Sequence, residues 1–285
     1  DPAQGGPCRI MSLVASEGLM LRTAPHGESD KLATWYDARL GRVTAIAKGA
    51  QKSKKRFMNK LEPFSQLRLF WRPPRSPSGL YFLEDAELVR PGLALRREYP
   101  RFLAASCIAE LCLRFTRELD ADSRVFQLLV WAMAAVTGQS RFFRYPLFFH
   151  LKLLELAGYT PNLSVCHRCG RPLTGPACFD PGRQEPGGAI LVCQRCLPGP
   201  PKAALSLQSI RMAGYAQHSS LDSLHKLQAP SRCLVEALDL LHAYSQCLLQ
   251  SDLHAWPVLR RLLAGEGAGS ETRASIMLDR HGKVL

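Results

Sequence analysis

The spacing of apolar and polar residues changes period once along the chain, and that change divides it. Over residues 12–90, short runs of period two alternate with turn residues. Gly18–Arg22, Leu32–Tyr36, Val43–Ala47, Leu67–Trp71 and Leu80–Leu83 read as strands, punctuated by Gly27, Gly41, Gly49, the Pro73–Pro74 pair and Gly79. That many short strands in so short a segment suit a small closed β-barrel of the OB type, and an SH3-like barrel fits nearly as well. After Pro91–Gly92 the spacing becomes helical. From Tyr99 to Leu119, apolar residues recur at Leu103, Cys107, Leu111, Phe115 and Leu119. Asp122 or Ser123 caps a second helix that ends near Gly138. It is apolar nearly all round (Val125, Phe126, Leu128, Leu129, Val130, Trp131), so a buried central helix is expected there. Pro146 opens a third helix and Gly158 closes it. Residues 159–202 break the pattern with cysteines, glycines and prolines. Helices resume at 205–217 and at 231–250, where Leu234, Leu238, Leu241 and Leu248 form one stripe, and Leu253–Leu263 reads as a last helix.

The expected architecture is therefore an α+β multi-domain chain. A flexible N-terminus (1–11) leads into an OB-fold barrel (12–90). An α-helical bundle (91–264) follows, with a cysteine-rich insertion at 164–200, and then a loose C-terminal tail (265–285). At 285 residues, 46% of them apolar, the chain is long enough for both domains to bury a core. No run of about 18 apolar residues predicts a membrane helix. Residues 1–10 lack the basic start and apolar run of a secretory signal. A cytoplasmic location is expected.

Ten cysteines change the picture most. Cys107, Cys112, Cys233 and Cys247 fall in helical patterns, where cysteine behaves as a small buried hydrophobe. Cys166-His-Arg-Cys169-Gly170 and Cys193-Gln-Arg-Cys196 form two Cys-x-x-Cys pairs. Each pair can aim two thiolates at one point, and two pairs complete the tetrahedron that zinc prefers. One Zn²⁺ on Cys166, Cys169, Cys193 and Cys196 is expected. Four protein ligands close its shell, so its role is structural. The stretch between the pairs looks like a small ribbon hairpin with little core of its own. Free or redox-active cysteine pairs are the competing reading, and Cys178 and His167 lack the paired spacing.

Charge points to the partner. The net charge of +13 favours polyanions. It is denser in the first third, where residues 1–85 hold 14 Lys/Arg against 8 Asp/Glu. Arg39, Arg42, Lys48, Lys52, Lys54, Lys55, Arg56 and Lys60 follow one another with no acidic residue between them. The stretch from Lys48 to Arg56 reads as an exposed loop suited to a phosphate backbone, with salt-dependent binding. In Leu67-Arg68-Leu69-Phe70-Trp71-Arg72, alternation sends Leu67, Leu69 and Trp71 inward and sets Arg68, Phe70 and Arg72 together on the other face. That face is a candidate stacking platform for unpaired bases. A solvated loop and a covered Phe70 are the plainer alternatives.

No catalytic constellation stands out, so a non-enzyme is expected. There is no Gly-x4-Gly-Lys-Ser/Thr run, no Gly-x-Ser-x-Gly elbow and no His-x-Glu before a Cys-x-x-Cys. Glu84, Asp85 and Glu87 form an acidic cluster near the basic barrel and read as a solvated strand end.

Several of these residues are arranged as in a known family. Gly18-Leu-Met-Leu-Arg22, Gly27-Glu28-Ser29-Asp30-Lys31, Gly41-Arg42-Val43, Ala47-Lys48-Gly49-Ala50 and the basic stretch to Phe57, followed by the two cysteine pairs within a helical domain, resemble the bacterial recombination-mediator family RecO. The resemblance runs from about residue 12 over most of the chain. It implies an N-terminal OB-fold, a helical C-terminal domain and a zinc finger. It also implies DNA repair by binding single- and double-stranded DNA, annealing complementary strands without ATP, and acting with RecR to load RecA on strands coated by single-strand-binding protein (SSB). Contact with that protein's acidic C-terminal tail, association with the nucleoid and no membrane partner are implied too. The alternative from the residues alone is an OB and zinc-ribbon factor of an RNA or transcription assembly.

Overall fold

The period-two runs become five strands: β1 (Val14–His26), β2 (Asp30–Asp37), β3 (Gly41–Ala47), β4 (Gln66–Arg72) and β5 (Tyr81–Arg90). The computed structural model describes residues 13–74, 79–182, 187–197 and 204–263. The N-terminus and C-terminal tail expected at 1–11 and 265–285 lie outside them. The strands close into a barrel in the order β1-β2-β3-β5-β4. Every pairing is antiparallel except β3 with β5, which run parallel from Ala45 opposite Tyr81 to Ala47 opposite Leu83. This is an OB-like barrel.

Small and large inward side chains interleave to fill it. Ala33, Ala45, Ala47 and Ala86 share the core with Met20, Trp35, Leu67, Leu69 and Trp71, all buried. Gly18 belongs to that packing: a Cβ there would lie 2.3 Å from Trp35 Cδ1. Strand β5 runs well past Leu83. The acidic cluster read as a strand end sits mid-strand, because Leu83 and Ala86 point inward and β4 pairs along the whole length.

The chain divides into two compact units, and the barrel unit includes Glu118–Asp122 as well as the residues up to Gly92. This corrects the first helix. Leu119 continues the apolar spacing, yet it is exposed with φ +59, and its N–H donates to the Arg42 carbonyl at 2.9 Å. Beside it, a Cβ on Gly41 would meet the Asp120 carbonyl oxygen at 2.1 Å, so this close approach requires glycine.

The second unit holds α1 (Leu93–Arg97), α2 (Tyr99–Phe115), α3 (Ser123–Gly138), α4 (Tyr145–Leu156), α5 (Leu207–His218), α6 (Leu221–Leu224), α7 (Ser231–Leu249) and α8 (Ala255–Leu263). The central helix is α4, not α3. Tyr145, Phe148, Phe149, His150, Leu151 and Leu154 are all buried, and α2, α3, α5 and α7 pack around it. Helix α3 leaves Gln127 and Ala134 exposed. In α7, Leu234, Leu238 and Leu241 are buried, while Leu248 is half-buried. Several buried polar groups find partners across the helices. Tyr145 Oη and Trp131 Nε1 bind the two ring nitrogens of His225 at 2.8 and 3.0 Å. The guanidinium of buried Arg144 donates to the carbonyls of Leu227 and His225.

Between α4 and α5, β6 (Asn162–Cys166), β7 (Ala177–Phe179) and β8 (Ala189–Cys193) form a sheet in the order β6-β8-β7. The expected hairpin is β7–β8, and β6 adds a parallel strand to it.

Candidate nucleic-acid interface and metal centre

The basic loop begins where β3 ends. Lys48, Lys52, Lys54, Lys55 and Arg56 are exposed, and Lys60 is half-buried. The backbone beneath them is fixed, because Ala50, Phe57 and Leu61 insert into the barrel core. Polar contacts tie the loop to the turn between β1 and β2. Gly49 N donates to Asp30 Oδ1 at 2.8 Å, and Gln51 donates to the carbonyls of Gly27, Ser29 and Asp30. The Gly49 amide, helped by the Ser29 hydroxyl, holds the Asp30 carboxyl below its ordinary value. Arg56 donates to the carbonyls of Lys48 and Glu84, both at 3.1 Å. Lys52, Lys54 and Lys55 form no ion pair among the described residues.

Strand register places this loop at one end of the barrel. His26 pairs with Asp30, Lys31 with Ala47, and Ile46 with Phe82, which in turn pairs with Arg72. The β1–β2 turn, the basic loop, the end of β4 and the start of β5 therefore share one end of the barrel, and loops at such an end carry oligonucleotides in OB barrels. Arg39 and Arg42 are not part of the cluster. Arg39 lies in the β2–β3 turn and Arg42 at the start of β3, about 20 Å from Lys48 along the strand. The run of eight cations thus serves two ends of the barrel.

On β4 the alternation holds. Leu67, Leu69 and Trp71 are buried, Arg68 and Arg72 are exposed, and Phe70 is half-buried with the Arg68 guanidinium 5.5 Å from its ring centre. The neighbours of this face are acidic, however. Arg68 is flanked across the strands by Glu17 and Glu87, and Phe70 by Ala15 and Asp85. Arg72 meets Glu84 at 3.5 Å and Lys60 meets Asp85 at 3.6 Å. Sequence reasoning missed Phe82. It points outward between inward-facing Tyr81 and Leu83, and Lys48 Nζ sits 4.9 Å from its ring centre. A surface contact of this kind is worth about 0.5–1 kcal/mol. The alternation Tyr81-Phe82-Leu83 carried the signal, but only register brings Phe82 beside Lys48 and Arg72.

The two cysteine pairs meet. Cys166 ends β6, Cys193 ends β8, and Cys169 and Cys196 lie in the turns that follow. All four sulfurs fall within 4.8 Å of one another, and Cys169 Sγ is 3.9 Å from Cys193 Sγ. A tetrahedral ion with metal–sulfur distances of about 2.3 Å needs sulfurs about 3.8 Å apart, so the cluster fits a metal ion. Gly170, at φ +68, turns the first knuckle and donates its N–H to the Cys166 carbonyl at 2.9 Å. Burial pushes the Cys166 thiol up, but the N–H groups of Cys193, Cys169 and Arg168 outweigh it and bring it down to about 6. Thiol hydrogen bonds with Cys169 and Cys193 push Cys196 up to about 12. Cys178 stands apart, buried in β7, where desolvation raises its thiol.

Comparison with known proteins agrees with this layout. A family model described as "Recombination protein O N terminal" matches residues 11–91, and one described as "Recombination protein O C terminal" matches residues 96–257. A protein of Anaeromyxobacter sp. (strain K) called "DNA repair protein RecO" is 37% identical over 193 residues, which is 67% of this chain and 74% of that protein. A protein of the same name from Frankia casuarinae is 33% identical over 254 residues, which is 88% of this chain and the full length of its relative. One from Syntrophus aciditrophicus is 28% identical over 246 residues, 86% of this chain and 94% of that protein.

Proposed function

The chain belongs to the RecO family of DNA repair proteins, and from that premise we propose that it is a non-enzymatic recombination mediator that anneals DNA strands. It binds single- and double-stranded DNA, pairs complementary strands without ATP, and works with RecR to place RecA on strands coated by SSB. The acidic tail of SSB is its contact there, and its place is the cytoplasm, at the nucleoid.

The observation that carries this reading is the anchored basic loop at the end of the barrel. Lys48, Lys52, Lys54, Lys55 and Arg56 stand exposed on a backbone held by Asp30, Gln51 and three buried apolar side chains. A fixed row of cations neutralises phosphates on two strands at once. That lowers their mutual repulsion and raises their local concentration, so annealing needs no covalent step. Cys166, Cys169, Cys193 and Cys196 would hold one Zn²⁺, which supplies rigidity to the ribbon and leaves no open coordination position.

The test is annealing of complementary DNA strands by the purified chain, without ATP, across a salt series. Annealing should fall steeply with salt. Neutralising Lys52, Lys54, Lys55 and Arg56 together should weaken binding at every sequence and flatten the log–log salt slope by about 3–4. Unchanged annealing by that variant would remove the loop from the mechanism. A clear preference for RNA would overturn the DNA reading.

A further inference from the structure

We propose that the barrel distinguishes single from double strands with an outward row made of Leu32, Ile46 and Phe82, in which Phe82 stacks on an unpaired base. This rests on the DNA-binding reading above and adds to it the surface that reads bases.

The row follows from register. Leu32 pairs with Ile46, Ile46 with Phe82, and Phe82 with Arg72, so four neighbouring strands place these side chains on one face of the sheet. Alternation confirms the direction. Ala33, Ala45, Ala47, Leu83 and Trp71, one residue away on the same strands, are all buried in the barrel. From Leu32 to Phe82 the row crosses about 10 Å at the usual strand spacing, and Arg72 on the fourth strand extends the face to about 15 Å. Leu32, Ile46 and Phe82 are only partly buried. An apolar strip framed by Lys48 and Arg72, with Arg56 anchored beside it, combines a flat surface for bases with cations for the phosphates between them.

Lys48 over the Phe82 ring marks the ring face as open to a π partner. Base stacking is stronger than an exposed cation–π contact, so a base takes the ring and Lys48 turns to a phosphate. Arg72 is held meanwhile by Glu84, an exposed pair that exchanges readily for a phosphate. A duplex keeps its bases stacked inside and cannot use the ring. The Arg68–Phe70 face lacks this balance, because Glu17, Asp85 and Glu87 surround it.

The experiment compares binding of a single-stranded oligonucleotide and a duplex to the full chain and to Phe82→Ala, Phe82→Trp and Phe70→Ala. Phe82→Ala should weaken single-strand binding about tenfold, leave duplex binding within twofold and leave the salt slope unchanged. Phe82→Trp should preserve or tighten single-strand binding, which guards against a folding defect in the alanine variant. Phe70→Ala should change neither. Equal single-strand affinity in wild type and Phe82→Ala overturns the stacking proposal, and if the duplex is still bound the DNA-binding reading stands. If the wild-type chain binds neither ligand, the DNA-binding reading fails with it.

Discussion

Asp37 is fully buried and organises one wall of the barrel. Its carboxylate accepts from Trp35 Nε1 at 3.2 Å, from the N–H groups of Arg39 and Leu40, and from Ser16 Oγ, which itself accepts from Trp71 Nε1 at 3.0 Å. Removing the carboxylate strands an indole N–H and the backbone donors that shape the β2–β3 turn. Asp37→Ala should cost about 2–4 kcal/mol, read as a lower urea midpoint, with Asp37→Asn costing less. In the helical unit, His150 is the counterpart. Burial, and secondarily His242, lowers its pKa to about 3, and Nε2 bonds Ser245 Oγ at 2.6 Å. The unfolded chain protonates this histidine near pH 6.5, whereas the folded chain resists down to about 3. Its contribution is therefore complete above about pH 6.5 and drains away as pH falls toward 3, by up to about 4 kcal/mol. Urea midpoints measured from pH 7.5 to 4.5 should drop more steeply for wild type than for His150→Phe. Parallel curves would show that His150 does not set the acid sensitivity.

At the scale of elements, the ribbon is the part with the least support of its own. Its strands are three to five residues long, and its two knuckles converge on the four sulfurs, with one bond from Arg168 to the Cys196 carbonyl at 3.2 Å beside them. A structural zinc contributes on the order of 10 kcal/mol in small fingers, far more than such a sheet can supply. Chelation, or Cys169→Ser, should abolish amide-exchange protection in β6–β8 while leaving protection in β1–β5 within the wild-type range. Retained protection in a metal-free ribbon would contradict a structural metal. The helices around it have other supports. Glu236 of α7 accepts from Ser206 N, Ser209 Oγ and Arg232, and these contacts overcome its burial to bring its carboxyl down to about 2. They tie the start of α5 to α7, so the joint between these helices does not depend on the ribbon.

For the whole molecule, the net charge of +13 is less informative than where it lies. Acidic residues on β5 meet Lys60, Arg72 and, across the strand, Arg68, whereas Lys52, Lys54 and Lys55 of the post-β3 loop form no ion pair among the described residues. Several arginines of the helical unit are likewise engaged: Arg144 is buried, Arg141 binds Gln228 and Arg168 binds Asp180. Glu84→Gln should release Arg72 and tighten DNA binding about two- to fivefold at low salt, with the gain shrinking as salt rises. An unchanged affinity would mean that Arg72 takes no part.

The sequence alone determined the element types, because a period of two or of 3.6 is a local property that side-chain burial imposes on any stable strand or helix. It determined the four-cysteine cluster for a similar reason, since each Cys-x-x-Cys is a local pair aimed at one point and two of them need only be brought together. Tertiary structure decided what depends on register and on long-range pairing. It extended β5 through an acidic stretch because β4 supplied a partner, and it drew Leu119 out of the helical stripe onto the barrel unit. It made α4 the central helix by surrounding it with four others. It also parted Arg39 and Arg42 from the lysine loop and set Phe82 beside Lys48 and Arg72. Neighbours across a sheet are dozens of residues apart in the chain, so no local pattern encodes which of them meet.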